Sequence, residues 1–320
     1  MTRRKEFPPA ALAEEARRLV AKMPVRSPKQ GIDPAGARAE QAVMAATRAP
    51  GPNLAKVEDF QVATRGGRLK LRCYSPGPTP PAIILYFHGG GWVMGSIDDS
   101  DAHVRRVVEA TDCAFLSVDY RLAPEHPFPA AIDDAIDAWA WLRANAPQLA
   151  PLCPLGIAGD SAGGNIAAGT CLALRDADAP LPAFQILVYP VLSPAMDTPS
   201  YRAQAEGPIL TAADMAWFWD CYARETGARH DPRAAPMLAA NLAGLPPALI
   251  LTAECDPLRD EGMEYSRRLA IAGVPVRQRC FEGMPHGFYK SADLLAGGQQ
   301  ALAEVAAFLR ERTGVMPDAR

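Results

Sequence analysis

The apolar and polar positions change their rhythm along the chain, and the changes divide it. Over residues 8 to 23, Leu12, Ala16, Leu19, Val20 and Met23 share one face at helical spacing, which predicts a helix ended by Pro24 and Pro28. Pro34 to Arg48 predicts a second helix, with Asp33 as its N-cap and Pro34 at the first helical position, closed by Pro50-Gly51-Pro52. From Val57 the period falls to two. Val57 to Thr64 and Leu69 to Tyr74 flank Arg65-Gly66-Gly67-Arg68, which predicts a β-hairpin. A fully apolar run, Ala82 to Phe87, then appears, with mainly apolar runs at Ala114 to Val118, Pro154 to Ala158, Phe184 to Tyr189 and Ala248 to Ala253. A strand apolar on both faces belongs in the middle of a parallel sheet. Helical stretches near 101–110, 130–145, 166–174 and 258–272 fall between or after these runs. Val274 to Phe281 alternates in polarity as a last strand, and a C-terminal helix follows from about Gln299 to Arg312. The count is near eight strands, so the expected fold is α/β, with a mostly parallel central sheet flanked by helices.

The alternation breaks between Ser193 and about Gly244. There, Thr211 to Arg224 reads as an aromatic-rich helix with Thr211 as N-cap and Met215, Phe218, Trp219 and Tyr222 at helical spacing. A helical insertion after a central strand is a candidate lid. With the front segment 1–50 it is expected to form a cap over a core made of about 55–192 and 245–320, the whole chain of 320 residues being one domain.

Composition narrows the function classes. With 33 Lys and Arg against 36 Asp and Glu, net charge is −3, which gives no electrostatic case for nucleic acid or an anionic membrane as partner. Thr2-Arg3-Arg4-Lys5 is too short for a polybasic anchor and reads as a solvated tip. No stretch reads as a signal peptide or a membrane span, so the expected location is cytoplasmic. Seven cysteines are scattered without a Cys-x-x-Cys, which predicts reduced thiols and no zinc site. No metal or other cofactor is expected.

Chemistry concentrates where strands end, as it does in open α/β sheets. Gly159-Asp160-Ser161-Ala162-Gly163 is a Gly-x-Ser-x-Gly pattern between an apolar run and a helical one, the context of a strained nucleophile elbow. Three other strand ends carry His88-Gly89-Gly90-Gly91-Trp92, Glu254-Cys255-Asp256-Pro257 and Met284-Pro285-His286-Gly287-Phe288. The order Ser161, Asp256, His286 is that of a hydrolase triad. A serine hydroxyl needs a base to take its proton, a histidine can do so near neutral pH, and a carboxylate can hold the other ring nitrogen. Glu254, Asp260 and Glu261 compete with Asp256 for the last part. Backbone N–H groups of the glycine run and of Ala162 can receive a developing oxyanion. Asp160 is expected to support nearby loops, and Glu254 to act behind the site. His103, His126 and His230 read as structural or exposed.

These blocks, together with Asp119-Tyr120-Arg121-Leu122-Ala123-Pro124-Glu125, resemble the hormone-sensitive-lipase-like branch of the α/β-hydrolases, the bacterial esterases with a His-Gly-Gly-Gly motif. The resemblance spans residues 82 to 290. It implies Ser161 as nucleophile, Asp256 and His286 as its partners, and Gly89, Gly90 and Ala162 as oxyanion donors. It also implies that His88 organises the glycine loop and is not the base. The activity implied is hydrolysis of short- to medium-chain carboxylic esters through an acyl-enzyme. An amidase, lactonase or deacetylase with the same triad is the alternative, and a non-catalytic ligand-binding protein on this fold is disfavoured by the presence of His286. Trp92, Met215 and Phe218, with Trp217 and Trp219, are expected around an apolar pocket. The last strand, as a sheet edge, offers a surface for a homodimer.

Overall fold

The protein is described by a computed structural model covering residues 11–23, 33–150, 152–225 and 227–314. The basic tip at residues 2–5 and the prolines at 24 and 28 lie outside the described residues. Eight strands form one sheet: β1 (Lys56–Thr64), β2 (Gly67–Ser75), β3 (Ile83–Phe87), β4 (Ala114–Val118), β5 (Leu155–Asp160), β6 (Gln185–Val188), β7 (Ala248–Cys255) and β8 (Val276–Pro285). Their order across the sheet is β1-β2-β4-β3-β5-β6-β7-β8. The β1–β2 hairpin is antiparallel and joins β4 antiparallel; every pairing from β4 through β3 to β8 is parallel.

The apolar runs explain why the middle of the sheet is parallel. Every residue of β3 and β4 is buried. In β3, Ile83, Leu85 and Phe87 enter one apolar layer while Ile84 and Tyr86 enter the layer on the opposite face. Helices α3 (Ile97–Thr111), α4 (Ala130–Leu149), α5 (Ala162–Asp176), α8 (Arg259–Ile271) and α9 (Ala296–Thr313) cover these two faces. The front segment supplies α1 (Glu14–Lys22) and α2 (Pro34–Ala46), and the insertion supplies α6 (Pro199–Ala203) and α7 (Ala212–Tyr222). Among the described residues no helix is long and apolar enough to cross a membrane.

Local capping chemistry sets several helix starts. Asp33 accepts from the Gly36 N–H at 2.6 Å and opens α2. Thr211 and Asp214 form a reciprocal capping box at α7, with bonds of 2.9 and 3.1 Å. Other boundaries move from those expected. Helix α4 runs past Asn145 to Leu149 with Pro147 in its last turn, where a missing N–H costs one bond at an end already fraying. Strand β5 continues through the polar Asp160, and β8 runs on to Pro285, so both reach the site directly. Strand β8 lies at the sheet edge, as its alternating polarity suggests.

Candidate active site

Ser161 sits in the tight turn between β5 and α5 with φ +57° and ψ −119°, a conformation that costs an L-residue about 1–3 kcal/mol. The turn holds because its backbone is bonded on both sides: the Ser161 N–H donates to the Val188 carbonyl at 2.8 Å, and its carbonyl accepts from the Asn165 N–H at 3.1 Å. Gly163 must lack a side chain, since a Cβ there would overlap the Phe87 carbonyl at the end of β3.

From the ends of β7 and β8 come the two partners. His286 Nε2 lies 3.0 Å from Ser161 Oγ, and His286 Nδ1 lies 2.7 Å from Asp256 Oδ2. The other oxygen of Asp256 accepts from the Leu258 N–H at 2.9 Å, and the residue is fully buried. That fixes the carboxylate against rotation and leaves His286 as the partner of Oδ2 among the described residues. The ring of Tyr189, whose centroid is 4.5 Å away, packs against His286. The competing acids are occupied elsewhere. Glu254 accepts from the Gly283 N–H at 2.7 Å, Asp260 from the Ser200 N–H at 2.8 Å, and Glu261 from the N–H groups of Leu192 and Ser193. Burial raises the Glu261 carboxyl well above its ordinary range.

The glycine loop is braced from below. His88 Nδ1 lies 3.0 Å from the Gly89 carbonyl, its ring stacks on Tyr120, and the Tyr120 hydroxyl donates to the His88 carbonyl at 2.8 Å. Burial, with the Lys290 charge adding to it, holds the imidazole below its ordinary value, so His88 is a neutral prop at neutral pH. Here one expectation is corrected. The Gly89 N–H donates to Asp160 Oδ1 at 2.9 Å, so it is committed and not free to bind an oxyanion. The N–H groups of Gly90, Gly91 and Ala162 have no acceptor among the described residues. Gly91 has φ +61°, and a Cβ on it would overlap the Phe218 ring. Thus the N–H groups of the run left without an acceptor among the described residues are those of its second and third glycines, not its first.

A cavity of about 1060 Å³ opens over Ser161 and His286. Its walls come from the glycine loop, Tyr189, α1, α2 and the insertion, where Met215 and Phe218 of α7 both line it. Trp92 does not, which corrects a second expectation. It is fully buried, stacked on Tyr222 with centroids 4.2 Å apart and planes 4° from parallel, tilted against Trp219, and donating from Nε1 to Asn165 Oδ1 at 3.2 Å. Trp92 and Trp219 anchor the insertion to the core; they do not line the cavity. Asn165, unremarked in the sequence, also donates to the carbonyls of Val191 and Ala234 at 2.9 and 2.7 Å. Its signal was an amide near the start of a largely apolar helix. Among the described residues no three His, Cys, Asp or Glu side chains gather as a metal-binding set.

An eight-stranded, mostly parallel sheet with a serine elbow at the end of β5, a buried carboxylate at the end of β7 and a histidine at the end of β8 defines a serine hydrolase built on the α/β-hydrolase plan. Residues 84–290 match the α/β-hydrolase fold family. Carboxylic ester hydrolase LipN of Mycobacterium tuberculosis is 39% identical over 272 residues, covering 82% of this chain and 72% of its own. Ethyl acetate hydrolase of Pseudomonas putida is 36% identical, covering 85% and 87%. A metagenomic ester hydrolase from Lake Arreo, solved with a bipyridine phosphonate derivative, superposes with a TM-score of 0.89 at 39% identity, over 95% of this chain and 100% of its own. The chain belongs to the α/β-hydrolase family, in its hormone-sensitive-lipase-like branch, and is an ester hydrolase by class.

Proposed function

We propose that the protein is a serine carboxylesterase that cleaves short- to medium-chain carboxylic esters through an acyl-enzyme on Ser161. The observation that carries the reading is the continuous chain from Ser161 Oγ through His286 to Asp256, with contacts of 3.0 and 2.7 Å. In that reading His286 Nε2 takes the hydroxyl proton as Oγ attacks the ester carbonyl, and Asp256 stabilises the imidazolium that forms. The N–H groups of Gly90, Gly91 and Ala162 receive the carbonyl oxygen as it becomes negative. The imidazolium then gives its proton to the departing alcohol. Water, deprotonated by the same His286, releases the acid and restores the serine.

The cavity supports the substrate class. Its inner wall beside the glycine loop is Phe218 and Met215, apolar groups suited to an acyl or alcohol chain. The front helices and the segment 193–244 supply wall residues over the nucleophile, which supports their assignment as a cap. The edge position of β8 supports pairing of two copies through that strand, and light scattering on the purified protein tests it.

Purified protein is expected to hydrolyse p-nitrophenyl butyrate, and to lose that activity on treatment with a serine-directed phosphonate. Ser161→Ala is expected to abolish turnover while leaving the fold intact by circular dichroism. Turnover that survives Ser161→Ala would sink the reading.

A further inference from the structure

We infer that Lys290 is a positioning residue for this reaction: it holds the buried carboxylate of Asp160, and through it the glycine loop that supplies the oxyanion donors. The inference rests on the esterase reading above. Asp160 ends β5 immediately before the nucleophile and is only 2% exposed. Its Oδ1 accepts from the Tyr86 hydroxyl at 2.6 Å and from the Gly89 N–H at 2.9 Å, and its Oδ2 lies 3.2 Å from Lys290 Nζ. Gly89 opens the glycine run. Pinning its N–H fixes the peptide from which the free N–H groups of Gly90 and Gly91 follow.

Lys290 comes to Asp160 from a different loop. It belongs to a short 3-10 turn (Phe288–Ser291) that begins two residues after His286. A single ion pair therefore spans the loop that carries the base and, through Asp160, the loop that carries the donors. Among the described residues no other cation lies within ion-pair distance of Asp160. The remaining groups around it are Tyr86 on β3, His88 and Tyr120 at the ends of β3 and β4, His103 on α3, Tyr189 after β6 and Tyr289 beside Lys290. Burial raises these phenols and lowers both imidazoles, so all are neutral near pH 7.

Burial pushes the Asp160 carboxyl up, but the Lys290 charge and the bonds from Tyr86 and Gly89 outweigh it, and the group stays below its ordinary value. Without the cation burial is opposed less, so Asp160 takes a proton at a higher pH than in the native enzyme. A protonated carboxyl is a poorer acceptor for the Gly89 N–H.

The test is the pH dependence of p-nitrophenyl butyrate hydrolysis by the full chain and its Lys290→Met and Lys290→Arg variants, each checked for folding by circular dichroism. Because losing one oxyanion donor costs about 10²–10³-fold, loosening the loop is expected to lower kcat of Lys290→Met by roughly 10–100-fold, with KM nearly unchanged. The acidic limb of its kcat profile is expected to move to higher pH, and Lys290→Arg to restore both. Three results overturn the inference: an unchanged Lys290→Met profile, a loss confined to KM, which would make Lys290 a substrate contact, or an Arg variant as impaired as Met. Should Lys290→Met not fold, Lys290→Arg decides, since an acidic limb displaced from that of the native enzyme overturns the inference. The native enzyme separates the two readings. If it neither turns over nor labels with a phosphonate, the esterase reading fails and takes this inference with it. If it turns over and Lys290→Met is indistinguishable, only this inference fails.

Discussion

Two aromatic side chains that look alike in the sequence do different work in the structure. Trp92 is buried against Tyr222 and Trp219, whereas Phe218 lines the cavity beside Gly91. Removing a large buried ring loses its packing and leaves a void, so Trp92→Ala is expected to cost about 3–5 kcal/mol in urea unfolding. Its effect on KM is expected to be small. Phe218→Ala should do the reverse, raising KM for butyrate esters several-fold with a smaller loss of stability. Gly91→Ala forces a side chain into the Phe218 ring at positive φ, and is expected to reduce kcat by about 10²-fold through one displaced donor. The residues legible in the sequence were those whose role follows from local pattern: Ser161 in its elbow, and Asp256 and His286 just past strand ends. Gly89 was misassigned because its N–H is taken by a carboxylate 71 residues away in the chain, a contact no local spacing records. Lys290 escaped notice for the same reason.

At the scale of elements, the rules that worked were short-range. The Asp33 and Thr211 caps and the two-period hairpin are each decided within a few residues, and they were read correctly. Strand ends were harder, because a strand that finishes at an active site finishes on polar residues. Asp160 lies inside β5 although the apolar run stops at Ala158. How α2 docks was not legible at all. Arg38 reaches from α2 to the proline-rich loop after β4, donating to the carbonyls of Val93 and Ala123 at 2.7 and 2.9 Å and to Glu125 at 2.6 and 2.8 Å. Arg38→Ala is expected to loosen α2 and to lower kcat/KM, with faster limited proteolysis in the front segment and little change in the unfolding of the core. The Arg38 hydrogen bond holds the Glu125 carboxyl down at about 2. A depressed carboxylate gives its contribution above the ordinary range of about 4 and loses it as pH falls towards 2. Docking of α2 should therefore hold above about pH 4, and proteolysis of the front segment should accelerate progressively as pH falls from about 4 towards 2.

Across the whole molecule, none of the seven cysteines forms a disulfide, and five are buried. Burial raises the Cys73 and Cys255 thiols to about 11 and Cys113 to about 12, far from the reactive thiolate. Brief iodoacetamide treatment at neutral pH is expected to leave ester turnover intact, which a residual-activity assay checks. The sheet also distributes the reaction unevenly. Ser161 rises from β5, paired on both sides, and Asp256 from β7, also paired on both sides, but His286 follows β8, which has a neighbour on one side only. Protection against local opening is not uniform in a fold and is least where pairing is one-sided. In a single, unpaired copy the edge strand is therefore expected to fray before the central strands, swinging the imidazole away from a serine that has not moved. Along a urea gradient, esterase activity is expected to vanish before the far-ultraviolet circular dichroism changes, and amides of β8 to exchange with deuterium ahead of those of β5. The enzyme would then fail through its base first, as a folded protein with an intact but idle nucleophile.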